Sequence, residues 1–119
     1  IGYYAPGHIP VRASGDGSRP AEGWSGQAEW TGYVPFDQLP HAYDPPEHFI
    51  VTANNRPSGA PGAPLVGLEY PNPYRAQRIV DLLREAIAHR KLTPDDFRAI
   101  QADTVSLHAR ALLPRLLAH

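Results

Sequence analysis

The residues best placed to do chemistry in this sequence are two adjacent asparagines, Asn54 and Asn55. They follow the strand-forming run Phe49-Ile50-Val51-Thr52 and precede a proline-bounded loop that begins at Arg56-Pro57. A side-chain amide carries an N–H that can stabilise a developing oxyanion, provided it is held in place before the reaction begins. A strand terminus would supply that rigidity. The same residues also suit an Asx turn that only ends a strand, and the local sequence leaves both readings open.

Other constellations are weaker. Six histidines, at 8, 41, 48, 89, 108 and 119, raise the question of a metal, with His41, Asp44 and His48 as the closest cluster. Neither HExxH nor His-x-His spacing is present, and a proline-rich loop rich in His and Asp is explained by solvation, so no metal site is expected. Ser106 and His108 lie two apart on an expected helix and so face different ways, which removes a local nucleophile and base pair. Asp95 and Asp96 fit helix capping, while Asp37, Asp44 and Glu47 occupy turn-like sequence. Ser14-Gly15-Asp16-Gly17-Ser18 lacks the lysine of a phosphate loop and opens no helix, so it reads as a tight turn.

The elements that must position these residues change character along the chain. Of 14 Pro and 10 Gly, every Gly and all but two Pro precede Arg75. Short extended pieces separated by turns are expected at 1–5, 11–13, 32–36 and 49–52. Pro10, Pro20, Pro35, Pro40, Pro45 and Pro46 cannot donate ladder hydrogen bonds, so the strands must be short. From Tyr74 the apolar residues Ala76, Ile79, Val80, Leu83 and Ile87 recur at helical spacing, which predicts an amphipathic helix ending near 89–92. Thr93-Pro94-Asp95-Asp96 then restarts a helix with an N-cap, a first-position proline and acidic first-turn residues. That second helix is expected to carry Phe97, Ile100, Thr104 and Leu107 on one face. A leucine-rich run follows, with Pro114 expected to kink or restart it. The fold class expected is therefore α+β: short antiparallel strands and long loops over 1–70, then helices over 74–119.

Length and composition bound the partners. The chain has 119 residues, 42% of them apolar, enough for one modest core. A net charge of -1, with 11 basic and 12 acidic residues dispersed along the chain, offers no basic field for nucleic acid. No apolar run approaches a membrane span, and the first residues lack the pattern of a signal peptide. With no Cys there is neither a disulfide nor a catalytic thiolate, although compartment is left undecided. The absence of Met and the opening on Ile1-Gly2-Tyr3-Tyr4, which reads as mid-strand, predict a segment cut from a longer precursor.

Ordered pieces along the chain carry a resemblance: IGYYAPGHIPVRASGDG (1–17), GWSGQAEWTGYVPFDQLP (23–40), DPPEHFIVTANNRP (44–57), PYRAQRIVDLL (73–83) and LTPDDFRAIQADTVS (92–106). In order and spacing they are similar to the β-chain of the penicillin acylase (penicillin amidase) family of N-terminal-nucleophile hydrolases. The resemblance implies a segment of a layered αββα core, in a periplasmic or secreted parent made by autoproteolysis. It implies a serine nucleophile, exposed at a new N-terminus outside this chain, whose own α-amine is the base. Asn54 matches the oxyanion-donating asparagine, with Asn55 as its neighbour. Arg75 matches an arginine that orients the catalytic amide; the alternative for Arg75 is a surface or ion-paired residue of the first helical turn. Some members hold Ca²⁺ with a backbone carbonyl near the position of Gly17 and an aspartate in the loop after the asparagines. Here that loop, 58–64, has no carboxylate, so no cofactor is expected of this chain itself and Ca²⁺ belongs at most to the parent.

The resemblance thus implies a segment that acts with the α-chain and the rest of the β-chain on a small-molecule amide, and that is inactive alone. The alternative from another class is an inert folded module whose apolar helices cover a partner. In either case exposed sheet edges and the leucine-rich tail predict that the isolated chain forms a homodimer.

Overall fold

The computed structural model describes residues 1–57, 64 and 66–118. The 58–63 part of the loop after the asparagines, and His119, lie outside the described residues. The chain forms two compact units, Ile1–Ile50 with Pro57–Tyr70, and Val51–Arg56 with Pro71–His119.

The first unit is built from two antiparallel ribbons. Strand β1 (Gly2–Tyr4) pairs with β4 (His41–Tyr43), and β2 (Pro10–Arg12) pairs with β3 (Trp30–Tyr33). In the first ribbon Gly2 faces Tyr43 and Tyr4 faces His41. The ladder is extended by Ala5 N–H to the Pro40 carbonyl at 2.9 Å and by Asp44 N–H to the Ile1 carbonyl at 2.7 Å. The Tyr4 ring is sandwiched between Phe36 and His41, with centroids at 4.3 and 5.0 Å. Its hydroxyl donates to the Phe36 carbonyl at 2.6 Å, so the polar tip of the ring is satisfied where its body stacks. Leu39 and Pro40 are the buried residues beside this stack in sequence. In the second ribbon Pro10 opens β2, where its missing N–H costs nothing, and a register shift falls between Val11 and Arg12.

Two of the expected extended pieces changed. The strand expected at 32–36 is found at Trp30–Tyr33, ending before Pro35. The one expected at 49–52 is not a strand: these residues join no ladder among the described residues. A strand is defined by its neighbour as much as by its own side chains, and here none pairs with this run. In its place His41–Tyr43 forms β4 between Pro40 and the Pro45-Pro46 pair, since the prolines leave four residues between them and three of these pair with β1.

The second unit holds helices α1 (Tyr74–Ile87), α2 (Pro94–Gln101) and α3 (Leu107–Leu116). Both α2 and α3 pack against α1, which buries Ala76 and Leu83. Helix α2 starts as the sequence requires. Thr93 is its N-cap, and the Asp96 carboxylate accepts the Thr93 N–H at 2.7 Å and hydroxyl at 2.8 Å. Arg90 also donates to Asp96, and these bonds hold that carboxyl well below the usual range.

The second helix does not run to Leu107 as expected. Asp103 stops it: its carboxylate accepts the Val105 N–H at 3.2 Å and takes a two-pronged bond from Arg78 of α1, at 3.0 and 2.7 Å. A short carboxylate that captures nearby backbone competes with the helix ladder. Helix α3 then begins afresh at Ser106, whose hydroxyl accepts the Ala109 N–H at 3.1 Å. Pro114 lies inside α3 and does not end it, since Leu117 N–H still reaches the Leu113 carbonyl at 2.9 Å.

Candidate functional site

Asn54 and Arg75 meet. Helix α1 presents Arg75 in its first turn, and Nη2 donates to Asn54 Oδ1 at 3.0 Å and to the Ala53 carbonyl at 2.9 Å. That one nitrogen carries two protons, so each bond has its own. A cation in the first turn faces the positive end of the helix dipole, and no acidic residue shares that turn. Two charge-assisted bonds to carbonyl-type oxygens offset the unfavourable placement.

The guanidinium also settles which way the Asn54 amide points. Arginine donates and never accepts, so the oxygen of the amide must face it and Nδ2 must face away. Asn54 is exposed, and among the described residues Nδ2 has no acceptor. The result is an N–H donor with a fixed direction and an open front.

The backbone at Asn54 is unusual as well. Its φ is +60°, in the left-handed region that asparagine tolerates better than most side chains. Ala53, just before it, is buried, and the Ala53 N–H donates to Asn55 Oδ1 at 3.0 Å. Asn55 Nδ2 donates to the Arg56 carbonyl at 3.1 Å. The expected rigidity of a strand end is therefore absent, and the turn is held by these side-chain bonds instead. Sequence reasoning passed over Asn55 as a bystander; the signal available was the doubled asparagine itself, since one Asx side chain commonly serves its own turn.

Helix α1 is fixed in turn by Arg78. Its paired bonds to Asp103 are mostly shielded, with 23% and 18% of the two side chains exposed. The Arg78 hydrogen bond is the main reason that the Asp103 carboxyl titrates below its ordinary range, and Arg78 is correspondingly raised.

The other candidates do not assemble. His41 Nδ1 lies 2.7 Å from the Leu39 carbonyl, and its ring stacks on Tyr4. Asp44 sits 4.0 Å from the Ile1 amine. Ser106 is an N-cap and His108 stacks on Tyr74 at 5.2 Å, so the two serve separate structural ends. Among the described residues no three His, Asp or Glu side chains gather as a metal site. Gly17, at φ +82°, lies in an open cleft of about 860 Å³ that also carries Arg12, Arg19, Asp16 and Glu22. The Arg12 guanidinium closes to 3.0 Å of where a Gly17 Cβ would stand, and Asp16 Oδ1 already accepts the Ser18 N–H at 2.9 Å. The cleft thus sets a cation against the glycine, whereas a calcium ion takes six to eight oxygens.

A family model for penicillin amidase matches residues 1–119. The chain belongs to the penicillin amidase family. It is 39% identical over 116 residues to penicillin acylase 2 proenzyme of Pseudomonas sp. (strain SE83), covering 98% of this chain and 15% of that protein. It is 36% identical over 84 residues to acyl-homoserine lactone acylase QuiP of Pseudomonas fluorescens (strain Pf-5), covering 69% of this chain and 10% of that protein. Penicillin G acylase of Escherichia coli is 31% identical over 119 residues, covering 98% of this chain and 14% of that protein. The chain thus spans a small fraction of the length of the family members it matches.

Proposed function

We propose that this chain is a segment of an amide-hydrolysing acylase of the layered N-terminal-nucleophile type and supplies its oxyanion donor, the Nδ2–H of Asn54. The observation that carries this reading is the Arg75 bond to Asn54 Oδ1, which fixes the amide with its donor edge outward. The nucleophile is a serine brought by another part of the parent polypeptide. Its hydroxyl oxygen attacks the substrate carbonyl while its α-amine takes the proton, a suitable base because its pKa is about 7.7 to 8.0. Negative charge gathers on the carbonyl oxygen, and Asn54 donates to it. Arg75, drawing on the amide oxygen, polarises the amide and strengthens the N–H as a donor. Collapse of the tetrahedral intermediate releases the amine, protonated by the α-ammonium, and leaves an acyl-enzyme that water resolves. The substrate is a linear amide, with penicillins and N-acyl side chains as the classes suggested by the names of the relatives. The parent works in the periplasm or outside the cell.

An inert interaction module is the second reading, favoured by α3 and its C-cap, where Leu112, Leu113, Leu116 and Leu117 are exposed. Turnover of a chromogenic acyl amide by the parent enzyme separates the two. Asn54→Gly keeps the left-handed backbone and deletes only the amide, so kcat is expected to fall about 10²- to 10³-fold with correct processing. Full turnover by this variant would sink the catalytic reading.

A further inference from the structure

We infer that Asn55, a residue with no contact to the reacting atoms, is a positioning residue for Asn54; the inference rests on the reading of Asn54 given above. Both edges of the Asn55 amide are engaged inside the same turn. Oδ1 accepts the Ala53 N–H at 3.0 Å, and Nδ2 donates to the Arg56 carbonyl at 3.1 Å. The two partners, one a donor and one an acceptor, permit a single orientation of that amide. Asn55 therefore closes the chain across Asn54 from the residue before it to the residue after its own.

The consequence falls on Ala53. Its N–H is held by Asn55, and its carbonyl is held by Arg75 at 2.9 Å. Asn54 is thus entered through a residue pinned on both of its peptide groups, and it takes a φ of +60° with both pins in place. Arg75 then fixes the Asn54 side chain with the same nitrogen that holds the Ala53 carbonyl. If the Asn55 bond is removed, the buried Ala53 N–H loses its partner and the turn is free to rotate. An oxyanion donor works only at its set position, and a shift on the order of 1 Å costs up to about 100-fold in rate. Among the described residues no strand holds the segment, so within them this clamp carries a task that a sheet would otherwise perform.

The test is a double-mutant cycle in the processed parent enzyme, with kcat and KM measured per correctly cleaved molecule. Asn55→Ala is expected to lower kcat about 10- to 100-fold while KM moves less than about twofold. The key readout is the same substitution in an Asn54→Gly background, where the loss from Asn55→Ala should vanish because the side chain being positioned is gone. Asn55→Asp keeps an acceptor for the Ala53 N–H but loses the donor to the Arg56 carbonyl, so a partial loss of rate that likewise vanishes in the Asn54→Gly background is expected, and it carries the test if the alanine variant does not fold. Wild-type kcat in Asn55→Ala, or in Asn55→Asp where the alanine variant does not fold, and an undiminished loss in the Asn54→Gly background each overturn the proposal. Full activity in Asn54→Gly alone would remove the Asn54 reading and this proposal together. A low rate in Asn54→Gly with full activity in Asn55→Ala would remove this proposal only.

Discussion

Among the described residues two turns hold non-glycine residues in the left-handed backbone region, and they are built differently. In the 44–48 turn, Asp44 and His48 have φ of 42° and 62°. In the 53–56 turn, Asn54 has φ of 60°. In the first the hydrogen bonds run from backbone to backbone, Asp44 N–H to the Ile1 carbonyl at 2.7 Å and His48 N–H to the Pro45 carbonyl at 2.9 Å, with the exposed Asp44 carboxylate 4.0 Å from the Ile1 amine. The second is tethered by side chains, including one from a helix 21 residues further along. Backbone strain is thus a shared property of both turns and marks neither as functional by itself. What separates them is a long-range cation that orients one amide and leaves its donor edge unused.

The sharpest way to break that comparison is to substitute glycine at equivalent backbone positions in each turn. Asn54→Gly is expected to cost about 2.7 to 4 kcal/mol of transition-state stabilisation, read as kcat/KM. Arg75→Lys comes next. It keeps the charge but lacks the planar fork, so a fall in kcat of about tenfold is expected, with substrate KM nearly unchanged. A lysine variant with wild-type kcat would mean that charge alone suffices.

A smaller effect, on stability and not on rate, is expected from Asp103→Asn. The Asp103 carboxyl titrates below its unfolded value because Arg78 donates to it, so it stabilises the fold above the unfolded pKa of about 3.9. That contribution is lost as pH falls through the lower, folded value. Melting temperatures of the wild type and Asp103→Asn should therefore differ at pH 7 and converge in acid. A gap that persists below the folded pKa would show that the pair does not act through ionisation. The smallest effect is expected for His48→Gly, where turnover should stay within about twofold, since glycine accepts a positive φ without strain. A large loss there would erase the distinction between the two turns.

Much of the second unit was legible in the sequence. The 3.6-residue spacing from Ala76 to Ile87 gave α1, and Thr93-Pro94 gave the start of α2, because both signals are local. Where α2 ends was not legible, since Asp103 acts through Arg78, 25 residues away. The run 49–52 has every strand-forming property except a partner, and pairing is not a property of the run. The local sequence singled out the asparagine pair, but only the ordered resemblance along the chain separated Asn54 from Asn55 and from a turn-forming role. The link of Asn54 to Arg75 was implied by the same resemblance, while the part played by Asn55 shows only once hydrogen-bond partners are assigned.

The most direct test of the central claim is the affinity of a tetrahedral transition-state analogue, such as a phosphonate of the acyl group, for the parent enzyme and its Asn54→Gly variant. A donor that acts on the oxyanion strengthens only as charge develops. Analogue affinity is therefore expected to fall about 10²- to 10³-fold, in step with kcat/KM, while ground-state amide binding barely changes. Equal analogue affinity in the two proteins would contradict the claim.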